Sequence, residues 1–288
     1  MPTDRNEFER RSAPITNMSG DQLQDDSDEW SEWLLSHRHG SDPALEKSVR
    51  ACVDGYADRV LDGARLTPGS TLADIGTGTG QVAFRAIDRI GKSLRVLLTD
   101  ISGPLIRHAQ FTARQRNVLD QCNFIQAPAD DLREIPDASV DAVTTRAVLT
   151  YVHDKCAALR EFHRILKPGG RVSVAEPILQ DDAFDTIALK RMVDTRRFPL
   201  EHEVLSLLHR WRAAQFPDTL EQLAQSPMAN YSERDLLGYF REVGFVEIHL
   251  ERISTWGRQT ECRGKRFSRF RRIHGHRRSA PSFESSSP

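Results

Sequence analysis

Apolar positions along the chain follow two rhythms. Short, nearly unbroken apolar runs at residues 71–75, 95–100, 122–126, 140–145 and 171–176 read as buried strands. Between them, apolar residues recur at helical spacing. Val82, Phe84, Ala86, Ile87 and Ile90 make one such face, residues 105–115 carry another, and Ala157, Ala158, Phe162, Ile165 and Leu166 a third. Lys167-Pro168-Gly169-Gly170 stops the last of these helices with turn chemistry. Five strands alternating with helices predict an α/β fold with a doubly wound, mostly parallel sheet.

Outside residues 67–251 the rhythm changes. Residues 1–28 are polar and acid-rich, with no apolar periodicity, and are expected to be disordered. Residues 29–66 predict N-terminal helices: a short one with Trp30, Trp33, Leu34 and Leu35, then one over 43–64 with Val49, Val53, Tyr56, Val60 and Leu61. The tryptophan pair reads as a packing anchor or as a lid over a ligand. Residues 181–229 form a largely helical insertion after the fifth strand, placed to cover a substrate pocket, with its charged residues solvated. Residues 244–250 give a sixth strand, its apolar side at Val246, Ile248 and Leu250.

After Leu250 the pattern fails. Residues 252–288 show no alternating apolar run and are rich in arginine, so a basic, disordered tail is expected. Two other readings stay open: a basic arm on nucleic-acid phosphates, and an aberrant C-terminus, which the abrupt change of composition suggests.

Charge changes this picture little. The chain has 40 Lys and Arg against 41 Asp and Glu, a net charge of −1 that hides an uneven distribution, acidic at the N-terminus and basic at the C-terminus. No apolar run is long enough to span a membrane, and the N-terminus has no signal-peptide core, which sets a cytoplasmic expectation. The four cysteines are scattered without metal-ligand spacing, so no metal site is predicted. The oligomeric state is not legible.

Candidate chemistry gathers where strands end. Asp74-Ile75-Gly76-Thr77-Gly78-Thr79-Gly80 joins the first strand to its helix. Glycines let backbone approach a ligand closely, and the helix start offers N–H groups to an anion. The same stretch also fits the dinucleotide pattern G-x-G-x-x-A at Gly78, Gly80 and Ala83. Asp100, followed by Ile101, closes the second strand, where an acid reaches a ribose diol; it also reads as a helix cap. Arg146, Tyr151, His153 and Glu176 lie on the loops at the sheet end and are candidates to orient or deprotonate an acceptor.

Taken together, Asp74-x-Gly76-x-Gly78-x-Gly80, Asp100, Ala129-Asp130-Asp131-Leu132, Val140-Asp141 and Leu166-Lys167-Pro168-Gly169-Gly170 resemble, in order and spacing, class I S-adenosylmethionine-dependent methyltransferases of the small-molecule branch. The resemblance implies a Rossmann-like sheet with helical N-terminal and lid additions, and an antiparallel seventh strand that residues 252–288 offer no apolar run to form, so it is read as missing. It also implies S-adenosylmethionine as cofactor. Asp74, Gly76, Thr77, Gly78 and Gly80 would meet its methionine side, Asp100 and Ile101 its ribose, Ala129 and Asp130 its adenine. Arg146 would hold either the cofactor or an acidic substrate. The implied reaction is methyl transfer to a small organic acceptor. Two alternatives remain at this stage: a protein that binds the cofactor without turnover, and a nucleic-acid methyltransferase that uses the basic tail.

Overall fold

The computed structural model describes residues 27–37, 43–253 and 269–276. Strands β1 (Thr71–Ile75), β2 (Arg95–Asp100), β3 (Cys122–Gln126), β4 (Val140–Arg146), β5 (Leu166–Ile178), β6 (Val246–Ile253) and β7 (Arg269–His276) form one sheet in the order β3-β2-β1-β4-β5-β7-β6. Strands β1 to β5 run parallel, and β7 runs antiparallel to both its neighbours. The strand order reverses between β1 and β4. Their carboxyl ends therefore open a crevice, the usual place for a ligand in such a sheet.

The helices are α1 (Glu29–Glu32), continued by a π-helical turn over Trp33–His37, then α2 (Pro43–Ala64), α3 (Gln81–Ile90), α4 (Gly103–Gln115) and α5 (Lys155–Ile165). They are followed by α6 (Gln180–Asp194), α7 (His202–Ala213), α8 (Leu220–Gln225) and α9 (Glu233–Val243). Strand alternation divides the core between the two sheet faces. Leu72, Val96 and Leu98 pack with Val60 and Leu61 of α2 and Val82, Ala86 and Ile87 of α3. Ala73, Ile75 and Val143 pack with Leu159 and Phe162 of α5 and Leu236 and Phe240 of α9. Side chains also set the register of α2 on α3. Asp54, Asp58 and Asp62 share one face of α2, and they meet Gln81, Arg85 and Arg89.

The sequence pattern needs two corrections here. The fifth strand begins at Leu166, not at Arg171, because Leu166 pairs with Val140 and a bulge between Val140 and Ala142 absorbs the Pro-Gly-Gly turn. Lys167 closes this corner, its Nζ donating to both oxygens of Asp141 at 2.8 and 2.9 Å. The second correction concerns the seventh strand, read as missing. Arg269–His276 forms it, pairing Val174 with Ile273 on one side and Leu250 with Ile273 on the other. Backbone ladders on both edges define this strand, and no hydrophobic alternation announces it. The remaining tail residues, 254–268 and 277–288, and the acidic stretch 1–26 lie outside the described residues. Asp28 belongs to the fold: it is the N-cap of α1, in a capping box with Ser31.

Candidate active site

The glycine turn is built around a buried acid. Asp74, at the end of β1, accepts hydrogen bonds from Thr77 Oγ1 (2.7 Å) and from Thr144 Oγ1 on β4 (2.8 Å). Burial pushes its pKa up to about 6, and the two hydroxyls, Arg146 and the Ala83 amide pull against that rise. The Thr77 N–H donates to the Thr99 carbonyl (2.8 Å) and so ties the turn to β2. Gly76 holds φ +63°, and a Cβ there would overlap the Val148 side chain. Gly80 caps α3 in the left-handed region without a side-chain acceptor, and of the first-turn N–H groups that of Ala83 meets the Asp74 carboxylate.

Asp100 faces this turn from β2. Its carboxylate accepts from the Gly78 N–H (2.8 Å) and the Ser102 N–H (3.0 Å), while its carbonyl accepts from Ala127 N–H (3.0 Å). Burial raises its pKa, opposed by these backbone donors. Ser102 is the N-cap of α4, receiving the Leu105 N–H, so the capping duty falls on Ser102 and not on Asp100. Ile101 is more than half exposed beside them. The turn after β3 lies against Asp100 through Ala127, with Ala129 buried and Asp130 exposed. Arg146, at the end of β4, brings Nη2 to 3.5 Å from Gln81 Oε1 at the start of α3. Asp74, Thr77, Gly78, Asp100, Ala127 and Arg146 are thus linked at the carboxyl ends of the strands.

The remaining candidates divide. Tyr151 is half-buried and meets Trp30 edge to face, the ring centroids 4.8 Å apart. His153 is exposed, next to Asp154, the N-cap of α5. Glu176 is fully buried. Its oxygens accept the Val148 and Thr150 N–H groups and the Thr145 hydroxyl, each at 3.1 Å. It is therefore joined to the loop after β4 and not to open crevice. Burial drives its pKa upward against those donors.

Asp28 and Lys155 are not singled out by the sequence, and Leu34 is marked there only as an apolar position of the N-terminal helix. Asp28 Oδ1 accepts from Ser102 Oγ (3.0 Å), so the N-terminal segment reaches the loop beside Asp100. Leu34 Cδ1 comes within 3.4 Å of where a Cβ on Gly78 would stand. Lys155 donates to the Val152 and Pro227 carbonyls (2.9 and 2.8 Å) and lies 4.3 Å above the Tyr231 ring. Burial pushes its pKa down to about 8, against the pull of Glu176. The α5 periodicity alone could have marked Lys155, since it falls on the buried side of that helix.

A sequence profile of the methyltransferase domain matches residues 66–219, more than half of the 288-residue chain. The chain belongs to this family. It is a class I S-adenosylmethionine-dependent methyltransferase. Among similar proteins is the ubiquinone/menaquinone biosynthesis C-methyltransferase UbiE of Vibrio cholerae, 32% identical over 190 residues, which are 65% of this chain and 68% of the relative. A chain of the complex between the Haloferax volcanii Trm112 methyltransferase activator and a methyltransferase shares the fold. Its TM-score is 0.59 at 20% identity, covering 88% of this chain and 99% of that one. A phosphoethanolamine N-methyltransferase from Haemonchus contortus, solved with S-adenosylmethionine, shares it at a TM-score of 0.54 and 12% identity, over 78% and 53% of the two chains.

The donor set of this methyltransferase fits its cofactor. Amides at the start of α3 and the Arg146 guanidinium suit a carboxylate. The Asp100 carboxylate suits a diol that donates hydrogen bonds, and buried Ala127 and Ala129 suit a flat apolar ring. Among the described residues, no helix is long and apolar enough to cross a membrane.

Proposed function

We propose that this methyltransferase transfers the methyl group to a small aromatic acceptor, at a ring carbon, in the crevice beneath the N-terminal segment. The observation carrying this reading is the wall around the glycine turn. Trp30 and Tyr151 meet edge to face, Val148 packs over Gly76, and Leu34 reaches Gly78. Such a wall favours a flat organic ring over a polar polymer. The Vibrio cholerae relative, named as a C-methyltransferase of quinone biosynthesis, supports a ring-carbon acceptor.

In this reading Asp100 takes the ribose diol, Ala129 and Asp130 lie beside the adenine, and Arg146 with the α3 amides meets the methionine carboxylate. Gly76, Gly78 and Gly80 keep that approach free of side chains. Asp74 and Thr77 shape the turn from behind. When bound, S-adenosylmethionine supplies a methyl group already activated by its sulfonium, whose carbon–sulfur bond breaks with the electron pair left on sulfur. The protein's task is alignment and water exclusion, worth several kcal/mol. The new bond forms at the acceptor carbon, and the displaced ring proton leaves to a base or to water. Tyr151 is the candidate that stands in the wall. Glu176 acts one step removed, by fixing the loop that carries Val148 and Thr150.

The test is transfer of isotope-labelled methyl from S-adenosylmethionine to a panel of phenols and hydroquinones, followed by mass spectrometry. The expected product gains one methyl on a ring carbon, and Trp30→Ala lowers kcat/KM for the acceptor by about tenfold or more. Label found on nitrogen or oxygen, or only in polymeric RNA, would overturn the ring-carbon assignment.

A further inference from the structure

Helix α7 is amphipathic in the wrong direction for a helix that only packs on its own chain. No residue of α7 is buried. The side turned toward the protein is largely polar. His209 Nε2 pairs with Asp218 Oδ2 at 3.1 Å, Arg212 Nε donates to Thr186 Oγ1 at 3.1 Å, and Arg212 Nη2 donates to the Asp182 carbonyl at 2.8 Å. The side turned outward is apolar: Val204 is 67% exposed, Leu207 60%, Leu208 43% and Trp211 51%. At 100° per residue these four share one stripe of the helix surface. Leu200, just before the helix, is 97% exposed at its end. A stripe of this kind left in water is unfavourable by the area it exposes, and contiguous exposed apolar surface marks a docking face.

The stripe has a second property that selects its occupant. Its spacing is palindromic: Val204, two residues, Leu207 and Leu208, two residues, Trp211. A two-fold axis crossing between Leu207 and Leu208 lays the pattern on itself, with Val204 facing Trp211 of the second copy. Glu203 and Arg210 are both exposed and stand seven residues apart on the same edge of the stripe, at opposite ends. Antiparallel pairing brings Glu203 of each copy beside Arg210 of the other, so the edge is self-complementary in charge as well as in shape.

We propose that α7 is a self-association surface, on which a second copy of this chain docks through antiparallel helix pairing about a two-fold axis. A single helix pair falls at the small end of specific interfaces, below about 1,200 Å², so the dimer is concentration-dependent.

Sedimentation of the full chain from about 1 to about 100 µM reads this directly. The wild type is expected to shift from monomer to dimer across that range. Leu207→Asp is expected to stay monomeric with an unchanged melting temperature, since the residue is exposed. Glu203→Arg and Arg210→Glu should each weaken association by about fivefold or more, and the double variant should recover it to within about twofold. Wild-type protein that is monomeric throughout would overturn the proposal. So would single charge reversals without effect, or a double variant no better than either single. Monomeric protein that floats with anionic vesicles through Leu207 would overturn it too and reassign the stripe to a lipid surface.

Discussion

At Lys155 the fold holds a cation where water is scarce, and the cost can be measured. In the unfolded chain its ammonium loses its proton near pH 10.4. Burial in the folded protein brings that value down to about 8. Between these pH values the unfolded state binds more protons, so stability rises with pH across the window. Compared with Lys155→Met, the wild type should gain about 2 kcal/mol between pH 7.5 and 9.5, read from urea unfolding of both proteins at each pH. A constant difference between them would show that Lys155 keeps an ordinary pKa. Asp74 shows the same tension in an acid: burial disfavours its charge, and the Thr77 and Thr144 hydroxyls make that charge tolerable. The glycine motif marks Asp74 and Thr77 in the sequence. Thr144 is not legible there, because its part depends on the pairing of Asp74 with Thr144 across β1 and β4. Glu176 illustrates the opposite outcome. Its place at a sheet end suggests chemistry, yet its oxygens hold the backbone of the loop after β4.

Among the elements, the strand–turn–helix from β1 to α3 is the most legible from sequence, because one segment contains the apolar run, the glycines and the helical face. The turn is also the element that tolerates least. At Gly76 the backbone lies at φ +63°, and any side chain would press on Val148. Gly76→Ala should therefore cost about 1–3 kcal/mol, measured by thermal or urea denaturation, and should weaken S-adenosylmethionine binding more than tenfold. Adding Val148→Ala should restore only part of the stability, since it removes the overlap and leaves the backbone strain. Full recovery would show that φ is not limiting. Strand β7 is the least legible element. Arg269–His276 lies between β5 and β6, where ladders on both sides hold it by backbone groups that every sequence possesses. Hydrophobic periodicity cannot announce such a strand. The start of β5 escapes for a related reason: a bulge lets a Pro-Gly-Gly segment continue a strand where turn residues argue for a stop.

On the scale of the whole molecule, the crevice is assembled from four parts of the chain. The β1–α3 turn, the ends of β2 and β3, the loop after β4 and the segment around α1 meet where the strand order reverses. The first three are legible as a set, since each follows a predicted strand. The fourth is only half legible. Trp30 and Leu34 stand out as apolar, but Asp28 reads as part of an acidic stretch until its hydrogen bond to Ser102 is seen. The arrangement makes Asp100 the meeting point of three parts, through Gly78, Ser102 and Ala127. The most direct measurement is calorimetric titration of S-adenosylmethionine into the wild type and into Asp100→Ala, with NAD as control and circular dichroism to confirm folding. The account predicts micromolar binding to the wild type, none of NAD, and a loss of about tenfold or more in the folded variant. Equal affinity in the two proteins would contradict the placement of the cofactor on Asp100.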